Sequence, residues 1–192
     1  MNSIKKQVRI EFEERKSKFI GYAKPISSKE EAEDFIRMIN EMHPTATHNC
    51  TVYRVIDNGQ EYFKADDNGE PSGTAGKPMG EILTYMDVNN IVVVATRYFG
   101  GIKLGAGGLV RNYAKTAKLA VQEAGIIEFI ERKNYLLDFS YERIGDVDSI
   151  ILENEDEIIE KDYNEKVTYR VSISEKTCEN LKEMKGLLII EI

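Results

Sequence analysis

Apolar and charged positions alternate along much of the first two thirds of the chain, which predicts strands separated by stretches of helical spacing. The run Ile91–Thr96 is apolar on both faces, as is typical of a strand in the middle of a sheet. Asn58-Gly59 between two alternating runs predicts a tight hairpin. In chain order, the predicted elements are strands at Val8–Phe12 and Lys18–Ala23, a helix opened by the capping box Ser28–Glu31 and stopped at His43-Pro44, strands at Thr51–Ile56 and Glu61–Ala65, a helix at Met79–Met86, the strand Ile91–Thr96, and a long helix ending near Ala124.

Residues 131–192 carry a second pattern. The predicted elements are a strand at Asn134–Ser140, a helix at Ile144–Glu153, hairpin strands at Ile158–Tyr163 and Val167–Ile173, a helix at Thr177–Lys185 and a strand at Leu187–Glu191. This β-α-β-β-α-β order predicts the split βαβ, or ferredoxin-like, arrangement. We therefore expect two domains, residues 1–130 and 131–192, of the α+β class.

The charge distribution supports the same division. The chain has 192 residues with 26 Lys+Arg against 33 Asp+Glu, a formal net charge of −7, and 42% of its residues are hydrophobic. Such a composition excludes a disordered chain, a collagen and a membrane protein. Residues 1–130 hold 17 basic and 17 acidic residues, whereas residues 131–192 hold 9 and 16. The acidity thus belongs to the second domain, and a basic patch in the first would be hidden by the average.

Cysteine use and the absence of long apolar runs bear on the compartment. Cys50 and Cys178 lie far apart and share no C-x-x-C spacing, which is typical of a reducing cytosol. The first twenty residues contain no apolar signal segment, and no apolar run approaches the roughly 20 residues that span a bilayer. We expect a soluble cytoplasmic protein with no membrane partner.

The first candidate site is the glycine-rich loop at residues 100–108 with the helix that follows it. Glycines allow close approach of a ligand to the backbone, and amides at a helix start bind anions. Arg111, Lys115 and Lys118 fall on one face of that helix. The predicted residues for binding phosphate, nucleic acid or a partner are Arg97, Gly100, Gly101, Lys103, Gly105, Gly107, Gly108, Arg111, Lys115 and Lys118. Alternatively, the glycines only form a tight turn and the charges are a solvated face.

A second candidate loop follows the predicted hairpin. Its three carboxylates, Asp66, Asp67 and Glu70, could hold Mg²⁺, although such a cluster after a strand is more often a solvated turn. No cofactor is expected otherwise. Ser72 and Thr74 lack an assigned base, so no catalytic residue is named. The residues of this second site are His48, Asp66, Asp67, Glu70, Ser72, Gly73, Thr74 and Lys77.

Three segments of these two regions resemble the IMPACT family in its bacterial YigZ-type branch. They are His48–Cys50, Asp66–Pro78 and Thr96–Arg111, and the resemblance covers residues 15–125. It implies an α/β-sandwich N-terminal domain like the second domain of ribosomal protein S5, and a ferredoxin-like C-terminal domain. It also implies kinship with eukaryotic translational regulators that compete for the activator of an initiation-factor kinase.

Two functions follow as hypotheses. The first is a binding or regulatory protein linked to translation, whose basic glycine-rich surface meets RNA, the ribosome or a translation-associated protein. The alternative is a magnesium-dependent enzyme that acts on a phosphorylated small molecule or nucleotide. Both depend on whether the two loops line one groove. The sequence assigns no oligomeric state.

Overall fold

The computed structural model describes residues 2–57 and 59–192. Its contacts divide the chain into a first compact unit that ends at Phe129 and a second at Ile130–Ile192. The predicted boundary falls one residue later. Each unit combines a sheet with helices, so the α+β class is confirmed.

The first unit contains a five-stranded antiparallel sheet and a small two-stranded one. Its elements are β1 (Asn2–Ile4), β2 (Val8–Glu14), β3 (Ser17–Pro25), α1 (Lys29–Met42), β4 (His48–Asp57), β5 (Gln60–Asp66), α2 (Gly76–Tyr85), β6 (Ile91–Tyr98), α3 (Ala106–Ala124) and β7 (Ile126–Glu128). The strand order is β2-β3-β6-β4-β5 in the large sheet, and β1 pairs with β7 in the small one. β6 is therefore central, as its apolar pattern predicted.

The two faces of β6 enter two different cores. Val93 and Ala95 pack in a cluster with residues of α2 and α3, whereas Val92 and Val94 pack in a cluster with residues of α1. Because successive side chains of a strand point to opposite faces, a strand covered on both sides must be apolar throughout. Helices α2 and α3 thus share one face of the sheet, and α1 covers the other.

The predicted capping box at the start of α1 is present with a shift of one residue. The Ser28 hydroxyl accepts a hydrogen bond from the backbone amide of Glu31 at 3.2 Å. The Glu31 carboxylate accepts from the amide of Ser27 at 2.7 Å, one residue before the usual partner. The helix ends at His43, whose amide donates to the carbonyl of Ile39.

Strand register brings the two candidate loops to the same end of the sheet. His48 at the start of β4 lies opposite Arg97 near the end of β6, and Asp66 at the end of β5 lies opposite Thr51. The chain therefore enters both the loop before α2 and the loop before α3 at this end. Both helices then return along the same face.

Both helices begin earlier than the sequence pattern suggested. α2 starts at Gly76, three residues before the predicted Met79, and tolerates Pro78 because the first turn of a helix needs no amide donor there. α3 starts at Ala106, so Gly107 and Gly108 lie in its first turn.

The large sheet has two hairpins of sequence-adjacent strands. In the β4–β5 hairpin the pairing extends to Asp57 and Gln60, one residue beyond the predicted strand ends, and Asn58 of the predicted Asn-Gly turn lies outside the described residues. In the β2–β3 hairpin the turn residues are Arg15 and Lys16, whose φ angles are +47° and +63°. The left-handed conformation of these two basic residues has no counterpart in the sequence prediction.

The second unit follows the predicted order of elements. They are β8 (Arg132–Phe139), a 3-10 turn at Tyr141–Arg143, α4 (Ile144–Glu153), β9 (Glu157–Tyr163), β10 (Val167–Ser174), α5 (Glu175–Lys182) and β11 (Leu188–Glu191). The strands form one antiparallel sheet with the order β11-β8-β10-β9. Leu137, Phe139, Tyr169 and Val171 of the sheet pack with Ile151 of α4 in its core.

Gly100 is required by a close backbone approach, which yields the first prediction. A Cβ atom at this position would lie 1.8 Å from the carbonyl oxygen of Lys16. We expect Gly100→Ala to lower the free energy of unfolding by at least about 2 kcal/mol, because neither backbone segment can yield cheaply. Gly107→Ala is the matched control, since its Cβ would meet only the end of the Arg111 side chain, at 3.6 Å. Denaturant unfolding followed by circular dichroism measures both, and equal stability of the two variants would contradict this contact.

Candidate functional site

A buried carboxylate, Glu70, joins the two candidate loops. Its side chain is 3% exposed. The Tyr113 hydroxyl of α3 donates to Glu70 Oε1 at 2.7 Å, and Arg97 Nε of β6 lies 3.1 Å from the same oxygen. His48 Nε2 of β4 lies 3.8 Å from Oε2. Residues from both predicted sites thus meet at one place, at the end of the sheet where the loops leave it.

The pair of Glu70 and Arg97 is electrostatic and lacks a hydrogen bond at Nε. The Arg97 side chain is 9% exposed, and its Nε is buried with no hydrogen-bond partner among residues 2–57 and 59–192, although it is within ion-pair distance of Oε1. The short distance from Arg97 Nε to Glu70 Oε1 is compatible with the absence of a hydrogen bond because the N–H of Nε points away from that oxygen. Removing one partner of such a buried pair leaves an uncompensated charge, which costs more than the pair itself contributes.

His48 is held in one orientation by the second loop. Its Nδ1 lies 2.7 Å from the carbonyl oxygen of Asn68. A carbonyl only accepts hydrogen bonds, so Nδ1 carries a hydrogen and donates it. Nε2 is the ring nitrogen nearer to Glu70. Asn68 also accepts from the amide of Asn49 at 2.9 Å, which fastens the loop to the start of β4.

Tyr113 and Cys50 remain protonated in this cluster. Burial raises the pKa of Tyr113 far above its usual range, so its phenol stays a donor to Glu70. Burial likewise raises the pKa of the Cys50 thiol to about 12. The thiol is 3.0 Å from the carbonyl oxygen of Asp67 and donates to it. A buried protonated thiol is a poor nucleophile, so Cys50 has a structural role here.

Asp67 holds the start of α2. Its Oδ2 accepts from the amide of Gly73 at 2.7 Å, and its Oδ1 accepts from the amides of Ala75 and Gly76 at 3.0 and 2.8 Å. The helix has no side-chain cap at its own N-cap residue, so this carboxylate takes that function from a distance. Burial raises the pKa of Asp67, but the three amide hydrogen bonds outweigh burial and lower it overall.

The three carboxylates of the second loop do not converge on one point. Asp66 accepts from the amide of Asn68, Asp67 is engaged by the start of α2, and Glu70 is paired as described. Within the described part of the chain, no group of three or more His, Cys, Asp or Glu side chains is arranged to hold a metal ion. Magnesium stays a prediction for which these residues offer no common set of ligands.

The rest of the second loop divides into fixed and exposed residues. The Thr74 hydroxyl donates to the carbonyl of Pro71 at 2.6 Å, and Gly73 has a φ of +76°. Ser72 and Lys77 are exposed, and Lys77 Nζ lies 4.0 Å from Glu81 of the same helix. Among residues 2–57 and 59–192, neither the Ser72 nor the Thr74 hydroxyl has a hydrogen bond to a basic side chain.

Three basic side chains of the first predicted site form an open surface. Lys103, Arg111 and Lys118 are exposed, and none has a carboxylate within 4.0 Å among the described residues. The backbone amides of residues 101–108 donate no hydrogen bond within that same part of the chain. We call these three side chains and these amides the glycine-loop surface. Gly101 and Gly105, with φ of +87° and +72°, shape its backbone.

Two of the predicted basic residues lie elsewhere. Arg97 is turned inward because Glu70 requires a counter-charge, so its role is in the buried cluster and not on the open surface. Lys115 Nζ lies 4.2 Å from the centre of the Phe12 ring, a cation–π contact that fixes it over β2. The predicted ten-residue site is therefore part buried network and part open surface.

Sequence reasoning missed four contributors to this region. Tyr113 falls on the apolar side of the α3 pattern, and a buried tyrosine hydroxyl generally needs a hydrogen-bond partner, so its role could be inferred from the sequence. Asn68 orients His48, Lys16 lies against Gly100, and Arg15 precedes Lys16 in the same turn. No local signal marks these last three.

Fold and site together define a two-unit α+β protein in which two loops meet at a buried charged cluster beside a basic surface. The family model for the Impact N-terminal domain matches residues 15–121, more than half of the chain. The chain therefore belongs to the IMPACT family. In the described residues, no helix is long and apolar enough to cross a membrane.

Several known proteins are similar to this chain. The IMPACT family member YvyE of Bacillus subtilis is 39% identical over 161 residues, covering 84% of this chain and 74% of its own. The member YigZ of Escherichia coli is 33% identical over 161 residues, covering 83% and 78%. A crystal structure of a hypothetical protein is 28% identical with a TM-score of 0.66, and the match covers 100% of this chain and 96% of that one.

Asp67 gives a prediction about acid stability. A carboxyl whose pKa is lower in the folded state stabilises the fold above its unfolded pKa of about 4, and this stabilisation is lost as the pH falls through the folded value. We expect Asp67→Asn to lower the free energy of unfolding by about 1–2 kcal/mol at pH 7, and the difference from the parent to shrink below about pH 4. Asp66→Asn, which removes a single exposed acceptor, is the control. A difference that does not depend on pH would be inconsistent with this role.

The buried pair gives a second prediction for this site. Arg97→Met leaves the Glu70 carboxylate buried without a counter-charge, so we expect a loss of about 3–5 kcal/mol of stability. Adding Glu70→Gln removes the charge but keeps an acceptor for Tyr113, and the double variant should recover at least half of the loss. Chemical denaturation of the parent, the two single variants and the double variant measures the coupling. Additive effects of the two substitutions would show that the pair is not coupled.

Proposed function

We propose that this chain is a binding protein of the translation apparatus and that its glycine-loop surface contacts the phosphate backbone of RNA. One observation carries the proposal: Lys103 lies in a loop whose backbone amides at residues 101–108 have no hydrogen-bond partner within residues 2–57 and 59–192, and Arg111 and Lys118 follow on the exposed side of α3. None of these three cations has a carboxylate within 4.0 Å in the same part of the chain. Lysine, arginine and free amides are the groups that contact phosphate oxygens in nucleic-acid complexes.

Half of the other cations of the first unit have a carboxylate partner within its described residues. Those with a carboxylate partner within 4.0 Å include Arg9, Lys18, Arg37, Arg54, Lys64, Lys77 and Arg97. Pairing cancels their field at a distance, so the unpaired cations of the glycine-loop surface supply a local positive potential in a chain whose net charge is −7. Contact with phosphate is the interaction that such a potential favours.

The buried cluster favours binding over catalysis. Cys50 is protonated and buried, and the Thr74 hydroxyl is engaged by a backbone carbonyl. The carboxylates that a magnesium-dependent enzyme would use are engaged separately by Asn68, the start of α2 and Arg97. No specific observation supports the enzyme alternative, so the proposal is a binding protein.

The link with translation comes from the family. The resemblance to the IMPACT family implies kinship with eukaryotic translational regulators. Proteins named IMPACT homologs from Saccharomyces cerevisiae and Caenorhabditis elegans are 33% and 37% identical to this chain over 117 and 98 residues. We also propose the finer fold assignments, an S5-second-domain-like first unit and a ferredoxin-like second unit. The strand order β11-β8-β10-β9 supports the latter. A cytoplasmic location is proposed because Cys50 and Cys178 are both unpaired.

Removing two cations tests the proposed surface. We expect Lys103→Ala combined with Arg111→Ala to weaken binding to purified ribosomes and to a labelled RNA hairpin by about tenfold or more. The slope of log affinity against log salt should become less steep by about 0.7–0.9 for each lost phosphate contact. Fluorescence anisotropy over a series of potassium chloride concentrations measures both quantities.

The matched control removes the same charge elsewhere. Lys5 and Lys6 are exposed, and the amide of Lys5 donates to the carbonyl of Gly125 beyond the other end of α3. Lys5→Ala combined with Lys6→Ala should leave RNA affinity within about twofold of the parent. An equal loss in both double variants, or no loss in either, would overturn the proposed surface.

A further inference from the structure

We infer that the β2–β3 turn, Arg15-Lys16, is a second contact for the RNA backbone. The two cations serve this contact, although another sequence would make the turn more stable. The inference rests on the proposed function of the glycine-loop surface and extends it to a segment outside the predicted sites. It depends on the conformation of the turn, its contact with Gly100, and the absence of ionic partners.

The conformation is unfavourable for these residue types. Arg15 and Lys16 have φ angles of +47° and +63°, the pattern of a type I′ turn. Positive φ at both central positions favours Asn-Gly, because side chains with a Cβ clash with the backbone in the left-handed region. The favoured Asn-Gly sequence stands between β4 and β5 of the same sheet, as Asn58-Gly59. Between β2 and β3 two cations stand at the turn instead.

The turn is packed against the glycine loop. Gly100 approaches Lys16 so closely that a Cβ would lie 1.8 Å from the Lys16 carbonyl oxygen. The amide of Gly100 is 3.3 Å from the hydroxyl of Ser17, which is fully buried, and donates to it. Both contacts fix the turn against Gly100, the residue that immediately precedes the amides of the glycine-loop surface.

Neither cation is used by the fold. Arg15 and Lys16 are exposed, and neither has a carboxylate within 4.0 Å in the part of the chain that the structure describes. The acidic residues on the adjoining strands do not compensate them; Glu11, for example, pairs with Arg9 and Lys18. Two uncompensated charges in a strained turn contribute nothing to stability, which points to binding.

RNA fits this surface better than an acidic peptide does. Phe99 follows the end of β6, immediately before Gly100, and the residue is 45% exposed, with the Arg97 guanidinium carbon over one face of its ring at 5.6 Å from the ring centre. An exposed aromatic ring between cationic segments offers a stacking platform for a base while the cations hold the flanking phosphates. Carboxylates of a peptide would use the cations but leave the ring without a partner of that kind.

The combined variant Arg15→Asn and Lys16→Gly tests the inference through two opposite readouts. It installs the favoured turn sequence and removes both charges. We expect the thermal midpoint to rise by a few degrees. We also expect the affinity for the labelled RNA hairpin to fall about tenfold and the salt slope to flatten by about 0.7–0.9 per contact. A turn that only supports the fold could not give higher stability together with weaker binding.

Controls separate this inference from the proposed function. The exchange of Arg15→Lys with Lys16→Arg keeps both charges and should retain RNA affinity within about twofold. If the Asn-Gly variant binds RNA like the parent while Lys103→Ala with Arg111→Ala does not, the inference is overturned and the proposed function stands. If neither variant loses affinity, the proposed function itself fails. A fall in thermal midpoint for the Asn-Gly variant, or tighter binding of the parent to polyglutamate than to RNA, would also overturn the inference.

Discussion

The burial of one negative charge determines how the two loops of this protein are arranged. Glu70 is almost fully enclosed, and a carboxylate in that position needs both a counter-charge and hydrogen-bond donors. Arg97 supplies the charge from β6 and Tyr113 supplies a donor from α3. Since these partners come from different elements, the charge can be accommodated only when the loop before α2 lies against the end of β6 and the first turns of α3.

The same requirement divides the side chains of the two candidate loops into those that are used by the fold and those that are open to solvent. Three of these side chains face inward. Arg97 pairs with Glu70, Asp67 accepts hydrogen bonds from backbone amides, and His48 donates to a backbone carbonyl. The charges that remain outside, such as Lys103 and Arg111, have no partner within the described residues. The open charges are therefore the groups that we propose recognise an anionic partner, since the fold does not use them.

Much of the fold could be predicted from local pattern, whereas the site could not. The central position of β6, the capping of α1 and the β4–β5 hairpin follow from side-chain periodicity and short motifs, which act over a few residues. The early start of α2 does not, because Asp67 caps it from nine residues away. The inward turn of Arg97 depends on Glu70, which lies 27 positions earlier. At Arg15-Lys16 the local propensity of the residues opposes the observed left-handed conformation. The contact between Lys16 and Gly100, which lies far away in sequence, holds the turn in place.

The acidic second unit is compatible with an RNA contact in the first for a physical reason. At physiological ionic strength the field of an exposed charge decays over a distance of about 8 Å, so acidic residues farther away than that have little effect on a phosphate held at the surface. Affinity then depends on the few cations and amides in direct contact, while net charge acts mainly on the rate of encounter at low salt. If RNA binds as we propose, the −7 of the whole chain bears on how quickly it arrives, and the unpaired charges around Gly100 determine how long it stays bound.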